Sequence, residues 1–352
     1  MDINLLDYEL GKEFVAQHPS LKRDESKLMF MGRESGEIRH LLFKGIAGYF
    51  NAGDVLVVND TRVFPARIDG QKKSTGGGVR FLVTKRINSH EWEAIIEKGH
   101  NISEGEEIDF CGGRFKGRLT GRGEKGMGRI LFSTNGTDPL QYFEEYGTMP
   151  LPPYIKRTGN NGISAGNGLS DSKRYQTVYA ENTGSIAAPT AGLHFTETLL
   201  TELEKKGVKI VKITLHVGTG TFKPVSCDNI DEHVMDEEEY SITEEAAGEL
   251  NTALSERKRI IAVGTTTTRT LESEMLNYGK FTTGNKSTGI FIKPGFAFKA
   301  ISGIITNFHL PRTTLLALVS AFCGRERILS AYEVAKQNGY RFYSYGDAMF
   351  IV

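Results

Sequence analysis

Gly184-Ser-Ile-Ala-Ala-Pro-Thr-Ala-Gly-Leu-His-Phe-Thr196 is the stretch whose reading decides the fold. Pro189 and Gly192 forbid a regular helix or a central strand through it. Its small residues let a backbone approach something closely, and Thr190 and His194 add a hydroxyl and an imidazole. Thr196 and Glu197 then open a predicted helix, as an N-cap hydroxyl followed by an acid suited to the positive end of the helix dipole. Loops of this build, delivered onto a helix N-terminus, are where α/β proteins hold ligands. A purely structural turn is the bland alternative.

Outward from this loop, strands and helices alternate. Val208 to Val217 has a period of two and empties into Gly218-Thr-Gly-Thr-Phe-Lys-Pro224. A helix is predicted over 244–257 with Thr243 as its cap, then a buried strand at Arg259-Ile-Ile-Ala-Val-Gly264. Thr265-Thr-Thr-Thr-Arg269 opens the next helix, and Ile304-Ile-Thr-Asn-Phe-His-Leu-Pro311 precedes a helix over 313–323. Upstream, Asp54-Val-Leu-Val-Val-Asn-Asp60 is another buried strand, ending in the polar group Asn59-Asp60-Thr61-Arg62. In α/β sheets that end is where ligands sit. Residues 63–148 differ: short alternating runs separated by Gly, Asn and Ser predict a small antiparallel barrel or sandwich. The expected domains are therefore 1–62 with 149–352, and an insert over 63–148. The Pro-rich Met149-Pro-Leu-Pro-Pro-Tyr-Ile155 is the return linker.

The 352 residues are 39% hydrophobic and 24% charged with zero net charge, which excludes a fibrous or disordered chain. No run of about 18 apolar residues appears. The N-terminal segment lacks the basic and apolar regions of a signal peptide, and three widely spaced cysteines suit a reducing compartment; a cytoplasmic protein is expected. Neutral net charge hides local asymmetry. Six basic residues against one acid lie between Gly112 and Arg129, and ten acids with no Lys or Arg between Asp228 and Glu249. The basic run is either a solvated hairpin or a contact for phosphates, through Arg114, Lys116, Arg118, Arg122 and Lys125.

Three junctions, Thr190 to Thr196, Thr265 to Arg269 and Thr306 to Thr314, present hydroxyls and free N–H groups to a carboxylate, ribose or phosphate. Gly218-Thr-Gly-Thr is not a nucleotide fingerprint, and no Walker lysine or Gly-x-Ser-x-Gly elbow is present. His194, His216 and His309 fall at such loop ends, where an imidazole can move a proton near neutral pH. His233, Asp236 and Glu237 would share a helical face, yet one acidic stretch is a poor metal cage, so no metal is expected.

Several long irregular blocks carry more specific information. Met149-Pro-Leu-Pro-Pro-Tyr-Ile, Arg174-Tyr-Gln-Thr-Val-Tyr-Ala, Ala188-Pro-Thr-Ala-Gly-Leu-His-Phe-Thr and Thr214-Leu-His-Val-Gly-x-Gly-Thr-Phe are four of them. Val263-Gly-Thr-Thr-Thr, Thr306-Asn-Phe-His-Leu-Pro and Ser344-Tyr-Gly-Asp-Ala-Met are three more. Together they resemble the S-adenosylmethionine:tRNA ribosyltransferase-isomerases of queuosine synthesis, essentially end to end. The resemblance implies a mixed-sheet α/β main domain with an inserted small antiparallel β-barrel. It also implies that the ribosyl part of S-adenosylmethionine, the co-substrate, moves to 7-aminomethyl-7-deazaguanine at the tRNA wobble position. There it is rearranged to epoxyqueuosine, with loss of adenine and methionine.

That chemistry needs a base for the carbon beside the sulfonium, an acid for departing adenine and a neutral amine. His194 or His216 is the expected base, with His309 third, and Asp347 or Asp60 orients a histidine or the amine. Thr190, Thr219, Thr265 and Thr266 suit the ribose hydroxyls and the methionine carboxylate. Arg174, Tyr175 and Gln176 would face adenine or the modified base, and Asn59, Arg62 and Asn307 complete the expected substrate contacts. Two departures stand out: His233-Val-Met-Asp236 where the family reads His-x-Met-His, and Gly78-Val-Arg80 where relatives carry Glu. Other readings are a non-catalytic tRNA-binding module and an ordinary RNA methyltransferase. A monomer, with tRNA and S-adenosylmethionine as partners and no membrane, is expected.

Overall fold

The structure is a computed structural model and describes residues 1–97, 101–157, 170–218, 220, 225 and 227–352, with only the backbone of Lys125. In chain order, β1 (Lys27–Met31) and β2 (Ile38–Leu42) precede β3 (Val55–Asn59) and the short β4 (Thr61–Val63). Then come β5 (Arg67–Lys72), β6 (Gly78–Arg86), β7 (Glu91–Ile96), β8 (Glu107–Phe110), β9 (Phe115–Arg122) and β10 (Met127–Ser133). After α1 (Pro139–Tyr146) and α2 (Asp171–Arg174) follow β11 (Asn182–Ser185), α3 (Glu197–Lys205), β12 (Lys209–Leu215) and β13 (Glu238–Ile242). The remainder is α4 (Glu244–Ser255), β14 (Ile260–Val263), α5 (Thr265–Tyr278), β15 (Gly284–Thr288), β16 (Gly303–Asn307), α6 (Thr314–Cys323), α7 (Arg325–Gln337) and β17 (Ala348–Ile351).

The main sheet runs β15-β13-β12-β3-β14-β16-β17-β1-β2. Its centre, β12-β3-β14-β16, is parallel, while β16 meets β17 antiparallel, so the sheet is mixed as expected. Central strands are apolar on both faces because both are covered. Val55 and Val57 of β3 point into one core, with Ile260, Ile304 and the apolar sides of α4, α6 and α7. Leu56 and Val58 point into the other, with Phe195, Leu199 and Leu203 at and within α3. The predicted caps Thr196 and Thr243 are present, and Thr313, expected as the first residue of its helix, is a third; each accepts from the backbone N–H three residues on. Among the described residues no helix is long and apolar enough to cross a membrane.

The six strands β10-β7-β6-β5-β8-β9 close into an antiparallel barrel. β9 alternates inward Phe115, Gly117 and Leu119 with exposed Lys116 and Arg118. The interior is filled: Phe110, Phe115 and Phe132 pack together, and Phe143 of α1 reaches Phe64, Trp92 and Phe132. Gly117 is required there, since a Cβ would come within 2.9 Å of the Phe110 ring. The barrel is thus a packed core rather than a ligand cup. One expectation fails outright. His233, Asp236 and Glu237 share no helical face, because the 3₁₀ turn before them ends at Glu232 and the chain is extended to β13.

Candidate functional site

Parallel strands β3, β14 and β16 are neighbours, so their carboxyl ends and the turns that leave them lie side by side. Gly264 leaves β14 at φ +92° and caps α5 without a side chain, so the first N–H groups of a 14-residue helix stay uncommitted to any cap. Over these ends folds the loop around Ala188 to Ala191. Together they line one shared cavity. Its wall holds Thr190, Thr265, Thr266, Asn307 and His309 of the expected set, so the three junctions of the sequence do meet.

The threonine run divides by role. Thr267 and Thr268 donate back to the carbonyls of Val263 and Gly264, at 2.7 and 3.1 Å, whereas Thr265 and Thr266 line the cavity. Asn59 stands behind Thr266, its Nδ2 3.5 Å from the hydroxyl, and ties β3 to β12 through Leu215. It is a strut rather than a wall residue.

His309 is held from several sides. Thr306 Oγ1 lies 2.7 Å from Nε2, Tyr332 accepts from the His309 N–H at 3.0 Å, and the Tyr8 hydroxyl donates to its carbonyl. Among the described residues Nδ1 makes no hydrogen bond, and the residue lines the cavity. Burial pushes its pKa down to about 3, so the ring is neutral. Asn307 sends Nδ2 toward His194 Nε2 and the Tyr343 carbonyl, both at 3.2 Å, while its Oδ1 is buried without a partner.

The three histidines do not converge. His194 is packed behind the cavity with both nitrogens used, Nδ1 2.7 Å from Ser26 Oγ and Nε2 on Asn307, its ring stacked on Phe43. Burial takes its pKa to about 3. It has no nitrogen left for a proton, which corrects its expected role as base. His216 lines a different cleft, between barrel and main sheet, with Nδ1 2.8 Å from the Thr61 hydroxyl and its pKa lowered by burial.

Other expected contacts are used inside the fold. Arg174 donates to the carbonyls of Ser20 and Leu21, Tyr175 is fully buried, and Gln176 straps both backbone groups of Val63. Asp347 accepts from the N–H groups of Lys27 and Arg341 and from the Arg341 guanidinium, and bonds no histidine. Asp60 binds Thr214 and Asn182, and Arg62 binds Thr183 and Glu144. Apart from the Tyr175 hydroxyl and Arg174 Nε, which are buried with no hydrogen-bond partner among the described residues, these groups are spent as braces within the fold. Arg114, Lys116, Arg118 and Arg122 are exposed on the barrel, with Arg118 paired to Glu107 and Arg122 to the Ile102 carbonyl. Thr219 and the Lys125 side chain lie outside the described residues. Sequence reasoning missed Tyr154 and Ser344, whose hydroxyls meet at 2.6 Å on the cavity wall. The Pro-rich linker that carries Tyr154 was the available signal, taken only as a spacer.

Residues 3–351 match the family described as queuosine biosynthesis protein. The chain belongs to that family. A solved structure, S-adenosylmethionine tRNA ribosyltransferase from Thermotoga maritima, is similar at 32% identity and a TM-score of 0.56. The match covers 99% of this queuosine biosynthesis protein and 100% of that chain. The end-to-end resemblance of the sequence blocks and the mixed-sheet fold with an inserted barrel are both borne out.

Proposed function

We propose that the protein transfers and isomerises the ribosyl part of S-adenosylmethionine onto 7-aminomethyl-7-deazaguanine at the tRNA wobble position, giving epoxyqueuosine-tRNA, adenine and methionine. The observation that carries this reading is the cavity that Thr190, Thr265 and Thr266, at the uncapped start of α5, line together with His309. Its donors suit ribose hydroxyls and a carboxylate.

Within this reading His309 takes the proton from the carbon next to the sulfonium. A pKa near 3 does not forbid it. The transfer turns a cationic sulfonium into a neutral ylide while a neutral imidazole becomes cationic, so the burial penalty on charge largely cancels. His216, half-buried and kept neutral, is placed to relieve the aminomethyl group of its extra proton. Asn307 orients the nucleoside, with His194 fixing the amide behind it. Exposed Arg114, Lys116, Arg118 and Arg122 serve tRNA phosphates away from the reacting nucleotide. The sulfonium itself supplies electrophilic activation, so the reaction proceeds without a metal, in a cytoplasmic monomer whose domains divide at 62/63 and 148/149.

Incubation with labelled S-adenosylmethionine and tRNA carrying the deazaguanine precursor tests the proposal. Adenine and methionine are the expected products, unaffected by a chelator. S-adenosylhomocysteine would instead mean methyl transfer, and binding without turnover would mean an RNA-binding module.

A further inference from the structure

We propose that the cleft between barrel and main sheet, walled by Trp92, Arg86, Glu237 and His216, receives the extruded purine-type base of the RNA substrate. The inference rests on the ribosyl-transfer reading and adds the place of the second substrate. The cleft shares a wall residue, Val217, with the cavity of the nucleoside site, so a base held there is next to it.

Two features of the barrel wall point to a polar ligand. Trp92 is 4% exposed, and among the described residues its indole N–H has no hydrogen-bond partner; neither has the buried Thr84 hydroxyl on the same wall. A buried polar group left unpaired costs about 1–3 kcal/mol, a cost that a purine carbonyl or ring nitrogen would relieve. The opposite wall carries consecutive acids, of which Glu237, among the described residues, receives a hydroxyl bond from Ser287 at 3.0 Å and no cation. Carboxylates suit the N–H donors of a guanine-type edge and a cationic aminomethyl substituent. Cations stand at the barrel rim for the flanking phosphates: Arg86 lies over the Trp92 ring at 5.5 Å, and Lys85 reaches across to Glu239 at 2.6 Å.

His216 completes the arrangement. Thr61 holds its Nδ1, its Nε2 makes no hydrogen bond among the described residues, and it lines the same cleft. Gly184 backs onto the ring so closely that a Cβ would meet it at 2.7 Å. In the barrel ring β9 stands opposite β6, with β10 and β7 between them on one side and β8 and β5 on the other. The basic run on β9 therefore faces away from the cleft, and Lys85 and Arg86 on β6 take the reacting nucleotide.

Trp92 is the single tryptophan of the chain, so its emission reports on this cleft. The full-length protein is titrated with an anticodon stem-loop RNA bearing the aminomethyl-deazaguanine, and binding is followed separately by anisotropy of labelled RNA. Saturable change in Trp92 emission, with the same midpoint as binding, is the expected result. Glu237→Gln should reduce the preference for this RNA over the same RNA with guanine by about tenfold, as loss of a charge-assisted contact implies. RNA binding with silent Trp92 emission and an undiminished preference in Glu237→Gln would overturn the cleft, even if adenine is released and the ribosyl transfer stands. Conversely, emission change and lost preference without adenine release would keep the cleft and sink the reaction.

Discussion

Thr306 Oγ1 and His309 Nε2 lie 2.7 Å apart across the end of β16, and this bond occupies one of the two ring nitrogens of a residue that lines the cavity. Removing the hydroxyl without changing side-chain volume should let the ring turn. Thr306→Val is expected to lower kcat by about tenfold or more, while KM for S-adenosylmethionine changes less, and Thr306→Ser should restore most of kcat. Loss of the whole imidazole in His309→Ala should cost on the order of 10²–10⁴ in kcat, the range of a general base. Equal kcat in Thr306→Val and wild type would remove the positioning role.

Two buried imidazoles set the acid side of stability. The folded-state values of His194 and His309 are near 3 against an ordinary 6.5. Between those values the unfolded chain binds protons that the folded chain does not. Stability is therefore full above pH 6.5 and falls as pH drops toward 3, by up to about 1.4 kcal/mol per pH unit for each group. Urea unfolding at several pH values should show this fall, and His194→Gln should flatten the slope. A slope unchanged in the variant would show that His194 titrates normally.

Gly264 occupies φ +92°, ψ 157°, a region that L side chains rarely adopt. Space is not the obstacle, since a Cβ there would meet nothing closer than 3.8 Å. Gly264→Ala should destabilise by about 1–3 kcal/mol from backbone strain alone. It should also raise KM for S-adenosylmethionine by tilting the first turn of α5. Denaturant melts combined with substrate titration separate the two effects.

Arg269 on α5 and Glu238 on β13 form an ion pair in which both side chains are almost wholly buried. Taking away one partner strands a charge in a poorly solvated site. Arg269→Met should cost about 3–5 kcal/mol, read as a lower urea midpoint, and Arg269→Met/Glu238→Met should recover a large part of it. A single variant as stable as wild type would mean that water reaches the pair.

Much of this architecture can be read from the chain before folding. Apolar runs such as Val55–Val58 mark strands covered on both faces, and Thr196, Thr243 and Thr313 mark helix starts, because both signals depend on neighbours a few residues apart. The small residues at 187–192 were equally legible: a Cβ on Gly192 would strike the Tyr179 hydroxyl at 2.1 Å. Which polar groups face a ligand was not legible. Arg174, Gln176 and Asp347 have the chemistry of binding residues and are spent on carbonyls and N–H groups of Ser20, Val63 and Lys27, far away in sequence. His194 and His309 look alike in their loops, yet only packing decides that one ring has both nitrogens occupied and the other has one open. The sequence alone determined the family, the mixed α/β sheet and the inserted barrel, since local periodicity and long irregular motifs encode those. Tertiary structure alone decided which side chains meet at the strand ends, because a hydrogen bond is claimed by whichever partner the folded chain brings within about 3 Å.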